Sequence, residues 1–184
     1  MIRDFHGFAA PGLVVGVRMV TLAMACLAED TTFDAICETR TCLPDAVQML
    51  TLCTIGNGWL QVIDLGRFGL TLYDKTNGQG TRVFLDSAKL KKWPEFYNWF
   101  YKIKSKKEQD LERLMDEIRH SGEDVLTLKK VQVSPPYLGK HGKGSIGTCS
   151  LCSEAYPSAH GEICKGCQGE TPYEETSGAV GIGG

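Results

Sequence analysis

The chain lacks an excess of charge of either sign. Its 184 residues carry 20 Lys and Arg against 22 Asp and Glu, for a net charge of -2. Proteins that bind nucleic acid through electrostatics concentrate basic residues on one surface, so this balance argues against a nucleic-acid partner. The basic run at residues 102–107 is interpreted as a solvated helix face. The sequence also contains no internal repeat.

The chain also lacks an apolar run suited to a membrane span. Its most apolar stretch, residues 11–27, is shorter than the roughly 20 residues that a span needs, and Arg18 interrupts it. Asp4 lies where a secretion signal would be positive, which argues against processing before Cys26. We therefore expect a buried helix in a cytoplasmic protein with no membrane partner. Because this helix is apolar nearly all round, we also expect a homodimer.

The remaining patterns predict an α+β fold with an antiparallel sheet and packed helices. Helical periodicity covers residues 11–28, 44–52, 95–103 and 107–120, and strand patterns cover 33–38, 59–64, 67–73, 81–85 and 125–133. Three of these strands, from 59 to 85, are predicted to form a meander. The segregation of strands and helices favours α+β over a doubly wound parallel sheet. Gly12 and Gly16 lie one helical turn apart and would permit close approach of another backbone.

A change in composition near residue 134 divides the chain. We predict an α+β core domain at 1–133, a Pro- and Gly-rich linker at 134–148, a cysteine module at 149–176 and a flexible tail at 177–184.

The cysteine module carries the most specific motif. Four of the eight cysteines form two C-x2-C pairs separated by a short polar loop: Cys149, Cys152, Cys164 and Cys167. This spacing is typical of a structural zinc site without an open coordination position. Iron bound by the same thiolates and disulfide bonds are the alternatives. Lys165 could offset the thiolate charge, and His160 is interpreted as a surface residue.

A second candidate site lies in the core. His6 precedes the first helix, Cys42 begins the second helix, and Cys53 follows that helix. The helix N-terminus is expected to lower the pKa of Cys42, which would favour a metal ligand or a nucleophile. Two thiols eleven residues apart on one helix would lie roughly 16 Å apart, so Cys42 and Cys53 could share a metal only if the helix ended or bent.

Three stretches of the sequence resemble one known family. The segment FHGFAAPGLVVGVRM (5–19) is similar to the motif HGHxCPGLxxGxR of the FmdE family, which is named after a component of formylmethanofuran dehydrogenase. The similarity continues through residues 37–74, where the family has a Cys ahead of DAIQ, a GCT-x-G-x-G turn and a D-x-G-K hairpin. The pairs CSLC and CKGC resemble the auxiliary zinc finger that some members carry.

The resemblance implies an α+β core with a treble-clef-like zinc finger, a homodimer, and a metal or redox role in anaerobes. Partners would be components of a molybdenum or tungsten enzyme. The chain departs from the motif at four positions, where the family's His, Cys, Gly and Lys are replaced by Phe8, Ala10, Leu52 and Arg67. His6, Cys42 and Cys53 remain as candidate ligands of a second transition metal, and Cys37 could compensate for the lost ones.

Two functions are consistent with these patterns. The first is a metal-binding accessory protein with a structural zinc and a second metal or ligand site in a core cleft. The second is an enzyme of redox or metal-dependent chemistry, of the formylmethanofuran dehydrogenase type. In the enzyme, Cys42 would be the nucleophile or metal thiolate and His6 the base or ligand, with Cys53, Asp45 and Arg40 lining the cleft.

Overall fold

The computed structural model describes residues 7–8, 10–139, 142 and 144–174. The predicted role of His6 and the predicted tail at 177–184 lie outside these residues. The chain divides into two compact units, Met1–Lys140 and His141–Gly184. The described part of the first unit contains helices α1 (Pro11–Met24), α2 (Leu43–Leu50), α3 (Ser87–Leu90), α4 (Pro94–Phe100) and α5 (Leu111–Ser121), and strands β1 (Phe33–Cys37), β2 (Leu60–Val62), β3 (Gly69–Asp74), β4 (Gln79–Leu85) and β5 (Leu126–Gln132).

The five strands form one mixed sheet in the order β2-β1-β3-β4-β5. The α+β class is thus confirmed, with the pairs β1–β3, β3–β4 and β4–β5 antiparallel. The meander prediction is wrong for β2, which pairs in parallel with β1. The reason lies in the β2–β3 connection, where the N–H groups of Leu65 and Arg67 donate to the carbonyl of Glu38. The connection therefore crosses the end of β1 and places β2 on its far side.

Helix α1 is the apolar centre of the first unit. Its buried residues include Leu13, Val15, Met19 and Val20, and it packs against α2, α5 and the sheet. The chain's own core therefore accounts for the apolar character of α1 without a second protomer. Arg18, the one charge within this stretch, donates to the carbonyls of Ile118 and Arg119 in the last turn of α5, where a cation is favourable.

Glycine permits close contact between α1 and α2, as the spacing predicted. A Cβ atom at Gly16 would lie 2.9 Å from the Cβ of Ala46, and one at Gly12 would lie 2.8 Å from the Sγ of Cys42. No helix in the described part of the chain is long and apolar enough to cross a membrane.

The first unit continues past the predicted boundary at 133. The carbonyl of Tyr137, in a short 3-10 turn at Pro135–Tyr137, accepts hydrogen bonds from Gln61 Nε2 and from the Tyr73 hydroxyl. These bonds fasten the start of the predicted linker to the sheet.

The second unit is built on a hairpin of β6 (Ile146–Thr148) and β7 (Ala155–Pro157). Strand β6 lies inside the predicted linker, because it pairs with a partner beyond the first cysteine pair. A 3-10 turn at Ser158–His160 follows, and a single π-helical turn at Gly166–Glu170 ends the described unit. Gly169 has a φ of 97°, a conformation that interrupts a helix, so this last element stays short.

Candidate functional sites: a four-cysteine metal centre and a core cleft

The second unit brings its four cysteines into one cluster. The Sγ atoms of Cys149, Cys152, Cys164 and Cys167 all lie within 4.8 Å of one another. Zinc–sulfur bonds of about 2.3 Å in a tetrahedron separate the sulfur atoms by about 3.8 Å. The distance between the sulfur atoms of Cys152 and Cys164 is 3.7 Å, which fits one tetrahedral ion. It is far longer than the roughly 2.05 Å of a disulfide bond, so the disulfide alternative is excluded for this pair.

Local backbone geometry holds the sulfur atoms in place. The hairpin carries the first pair, where the N–H of Cys149 donates to Glu154 and the N–H of Ser153 donates back to Cys149. In addition, the N–H of Cys164 donates to the Sγ of Cys149 over 3.5 Å, and the N–H of Cys167 donates to the Sγ of Cys164 over 3.4 Å. Bonds of this kind orient metal-bound thiolates and delocalise their charge.

Electrostatics within the cluster favours a cation. The backbone N–H groups of Cys164 and Cys152 lower the pKa of the Cys149 thiol to about 6. The neighbouring thiols of Cys164 and Cys152 raise the pKa of Cys167 to about 12. Four thiolates at this spacing repel one another, and a bound dication would remove that repulsion. The cluster therefore has the donor set, the spacing and the charge of a closed structural metal site.

Two residues near the cluster take no part in it. The prediction for Lys165 is wrong, because its Nζ pairs with Glu170 at 3.2 Å rather than with sulfur. His160 is exposed, as predicted, and its side chain is not a member of the cluster.

The candidate thiols of the core lie apart from one another. Cys42 caps the N-terminus of α2, whereas Cys53 follows its C-terminus and approaches the carbonyl of Phe33 at the start of β1. An eight-residue helix is about 12 Å long, so the two thiols occupy opposite ends of α2. Cys37 is fully buried on β1, and burial raises its pKa to about 12. Among the described residues, the four-cysteine cluster is the one grouping of three or more metal-binding side chains.

The residues that replace the family's ligands differ in their surroundings. Phe8 is 62% exposed, so its ring does not fill the space of a lost ligand, whereas Ala10 is buried at the start of α1. Arg40 points to Asp64 at 3.3 Å and is exposed, and it does not line the cleft described next.

Cys42 borders a cleft of about 1000 Å³ in the first unit. Three segments form its walls: the β1–α2 loop at 39–42, the β2–β3 loop at 66–68, and residues 99–109 from the end of α4 into the following loop. The sequence patterns missed this cleft, because residues 102–107 were interpreted as a solvated helix face. Helix α4 ends at Phe100 and α5 begins at Leu111, so the basic run lies on a loop that forms one wall.

The backbone of Cys42 is strained. Its φ of 57° and ψ of -47°, with a 2.6 Å hydrogen bond from the N–H of Leu43 to the carbonyl of Thr41, define a tight γ-turn. This conformation is rare and unfavourable for a residue with a side chain, and such strain concentrates at functional sites. The expected low pKa of Cys42 is wrong. Burial, assisted by the carboxylate of Asp45, raises the pKa of its thiol above the usual 9.0.

Glu38 anchors the β2–β3 wall of the cleft. Its carboxylate receives two hydrogen bonds from Arg82, at 2.6 and 2.7 Å, and an ion pair from Arg67 at 2.9 Å. Hydrogen bonding from Arg82 is the main cause that holds the pKa of Glu38 below its usual 4.5. A Cβ at Gly69 would lie only 3.1 Å from this carboxylate, so glycine gives the carboxylate room beside β3.

The fold and the metal cluster together define an α+β core joined to a four-cysteine treble clef unit. The chain belongs to the FmdE family, described as "FmdE, Molybdenum formylmethanofuran dehydrogenase operon", which it matches over residues 5–134. Residues 140–174 match the FmdE treble clef zinc finger. The resemblance of the sequence motifs is thereby confirmed.

Two relatives with different descriptions place the chain further. A crystal structure of an FmdE-like protein of tungsten formylmethanofuran dehydrogenase, from Syntrophus aciditrophicus, is 53% identical, with a TM-score of 0.85 over 94% of this chain and 91% of that one. A "Probable S-adenosyl-L-methionine-binding protein" from Archaeoglobus fulgidus is 31% identical over 141 residues. That alignment covers 68% of this chain and 38% of the relative, so the chain spans well under half of its length.

Proposed function

We propose that the chain is a metal-binding accessory protein with two separate sites. The second unit binds one structural zinc through its four cysteines, and the cleft of the first unit binds a small molecule beside Cys42. The observation that carries the second part is the strained turn at Cys42 on the border of a large cleft. Strain of about 1–3 kcal/mol persists where function requires it.

The cleft is better suited to a small molecule than to a transition metal. Cys42 is not part of any group of three metal-binding side chains among the described residues. A core metal would therefore need His6, which lies outside them, together with Cys42. Burial also favours the protonated thiol of Cys42, which opposes metal binding until a metal displaces the proton.

The enzymatic alternative has less support. A nucleophilic cysteine needs a lowered pKa or an adjacent base, and the pKa of Cys42 is raised. Cys53 is buried at the other end of α2, where burial also raises its pKa.

Homodimerisation, a cytoplasmic location in an anaerobe, and association with a molybdenum or tungsten enzyme belong to the same proposal. The family description and the description of the Syntrophus aciditrophicus relative support the link to such an enzyme. The apolar character of α1 does not support the dimer, because α1 is covered within its own chain. Light scattering at micromolar concentration would distinguish dimer from monomer.

The cleft can be tested by filling it. Thr41 is exposed on the cleft wall, so Thr41→Trp would occupy the space, whereas Arg40→Trp places the same side chain beside the cleft. We would screen small aromatic and polar fragments against both variants and the parent chain by ligand-observed NMR. We expect fragments that bind the parent and the Arg40→Trp variant and are lost with Thr41→Trp. Fragments that bind all three proteins equally, or no fragments at all, would contradict the cleft as the binding site.

A further inference from the structure

The side chains that line the cleft carry charge of one sign. Arg67, Lys102, Lys104 and Lys106 contribute cations, and the described lining residues include no Asp or Glu. This contrasts with the whole chain, whose charge is nearly balanced. A cleft lined by one sign of charge concentrates ligands of the opposite sign.

Two of these cations already have carboxylate partners, and two do not. Arg67 pairs with Glu38, and Lys104 pairs with Glu95 at 2.6 Å. Lys102 and Lys106 are exposed, and neither forms an ion pair with any residue that the structure describes. Their charge is therefore available to a ligand.

Lys102 occupies a position that ordinarily belongs to glycine. It has a φ of 53°, and it directly follows the C-cap of α4. The N–H of Lys102 donates to Trp99 and the N–H of Ile103 donates to Asn98, which is the pattern of a Schellman motif. Glycine is the usual residue at this left-handed position because a side chain there is unfavourable by about 1 kcal/mol. A lysine in its place gives up backbone stability and supplies a charge at the cleft.

The loop that carries the lysines is ordered rather than free. The N–H and the hydroxyl of Ser105 both donate to Glu108, and the Gln109 side chain donates to the carbonyl of Lys104. The ion pair of Lys104 with the buried Glu95 fixes the middle of the loop to α4. Lys102 and Lys106 thus project from a backbone with defined hydrogen bonds, which limits the entropy lost when a ligand is bound.

Aromatic side chains form the apolar part of the cleft. The rings of Phe68 and Phe100 meet edge to face at 6.1 Å, and Trp99 lies against Phe100 at 6.4 Å. All three are half-buried and line the cleft. Partly exposed aromatic faces provide stacking and apolar contact for a planar group.

From this combination we infer that the cleft selects an anionic ligand with a planar aromatic group. The inference rests on the proposed function, because it names the ligand class of the same cleft. Lys102 and Lys106 would contact a phosphate, carboxylate or sulfonate, and the faces of Phe68, Trp99 and Phe100 would hold the ring. The cationic sulfonium and ammonium groups of S-adenosylmethionine are a poor match for this lining.

The test compares probes of one shape and different charge. Binding of 1-naphthyl phosphate, 1-naphthol, 1-naphthylmethylamine, inorganic phosphate and S-adenosylmethionine is measured by calorimetry on the full chain. We expect the naphthyl phosphate to bind most tightly and to weaken as salt is added, because its contacts with exposed lysines are screened. A preference for naphthol, for the amine or for S-adenosylmethionine would overturn the inferred charge while leaving the cleft as a binding site. If no probe binds, both the inference and the proposed function fail.

Three variants assign the effect to the cleft lysines. Lys102→Gly removes the charge at a backbone position that suits glycine, so lost binding would not reflect lost folding. Lys106→Gln is matched by Lys107→Gln, its exposed neighbour outside the cleft. We expect Lys102→Gly and Lys106→Gln each to weaken naphthyl phosphate binding about 2- to 5-fold, the range of exposed charge pairs. The Lys107→Gln variant should match the parent chain. Equal effects at Lys106 and Lys107 would mean that general surface charge, not the cleft, binds the anion.

Discussion

At the scale of single residues, Cys42 combines a strained backbone with a half-buried thiol. Its γ-turn ends the connection from β1 and starts α2 without a side-chain cap. The motif match identified Cys42 as a candidate, but the sequence could not show the turn, because no glycine marks it. The predicted low pKa failed for a related reason: a helix N-terminus favours the thiolate, yet burial and the nearby Asp45 outweigh it.

The strain at Cys42 predicts an unusual order of stability between two variants. Cys42→Gly and Cys42→Ala both remove the thiol, but only glycine adopts a positive φ without penalty. Elsewhere in an ordered turn alanine would be favoured, because it restricts the unfolded chain. We expect Cys42→Gly to be more stable than Cys42→Ala by about 1 kcal/mol, measured by urea unfolding. An alanine variant as stable as the glycine variant would show that the turn stores no strain.

At the scale of elements, the sequence predicted which segments are helices and strands better than how they connect. Alternating residues revealed the strands, and the 3- and 4-residue spacing revealed the helices. The parallel pairing of β1 with β2 depends on backbone bonds from Leu65 and Arg67 to Glu38, which leave no mark on periodicity. Likewise, the end of α4 depends on the left-handed Lys102, whereas lysine is typical of helix interiors. The basic cleft wall was missed for that reason.

Glu38 links the end of β1 to β4 and to the cleft wall, and its removal should weaken the fold. Glu38→Gln replaces a nearly buried carboxylate that accepts two bonds from Arg82. We expect a loss of about 2 kcal/mol in the free energy of unfolding at pH 7. Because the folded protein lowers the pKa of Glu38, this contribution is full above the unfolded value, near 4.5, and is lost as the pH falls through the folded value.

The difference between Glu38→Gln and the parent chain should therefore shrink below about pH 4.5, as measured by urea unfolding across pH. Asp116→Asn is a matched control, because Asp116 pairs with Arg119 on the exposed surface of α5. It should change stability by less than about 1 kcal/mol. A Glu38→Gln loss that stays constant down to acid pH would contradict a role for the ionised carboxylate.

At the scale of the whole molecule, the two units differ in what the sequence reveals. The C-x2-C pairs specified the metal ligands fully, because thiolate spacing in a short loop leaves few other arrangements. The first unit has a core of its own, with α1 buried against α2, α5 and the sheet. Its cleft depends on three segments far apart in sequence, so no local pattern could predict it.

The measurement that tests this account most directly is the metal content per chain, by elemental mass spectrometry on aerobically and anaerobically purified protein. It is made on the parent chain and on a Cys149→Ser/Cys152→Ser variant. The account predicts about one zinc per parent chain and none in the variant, since the described residues form one four-thiolate site. A second metal that survives in the variant would contradict it, and would mean that the core holds a metal through Cys42 and a ligand such as His6.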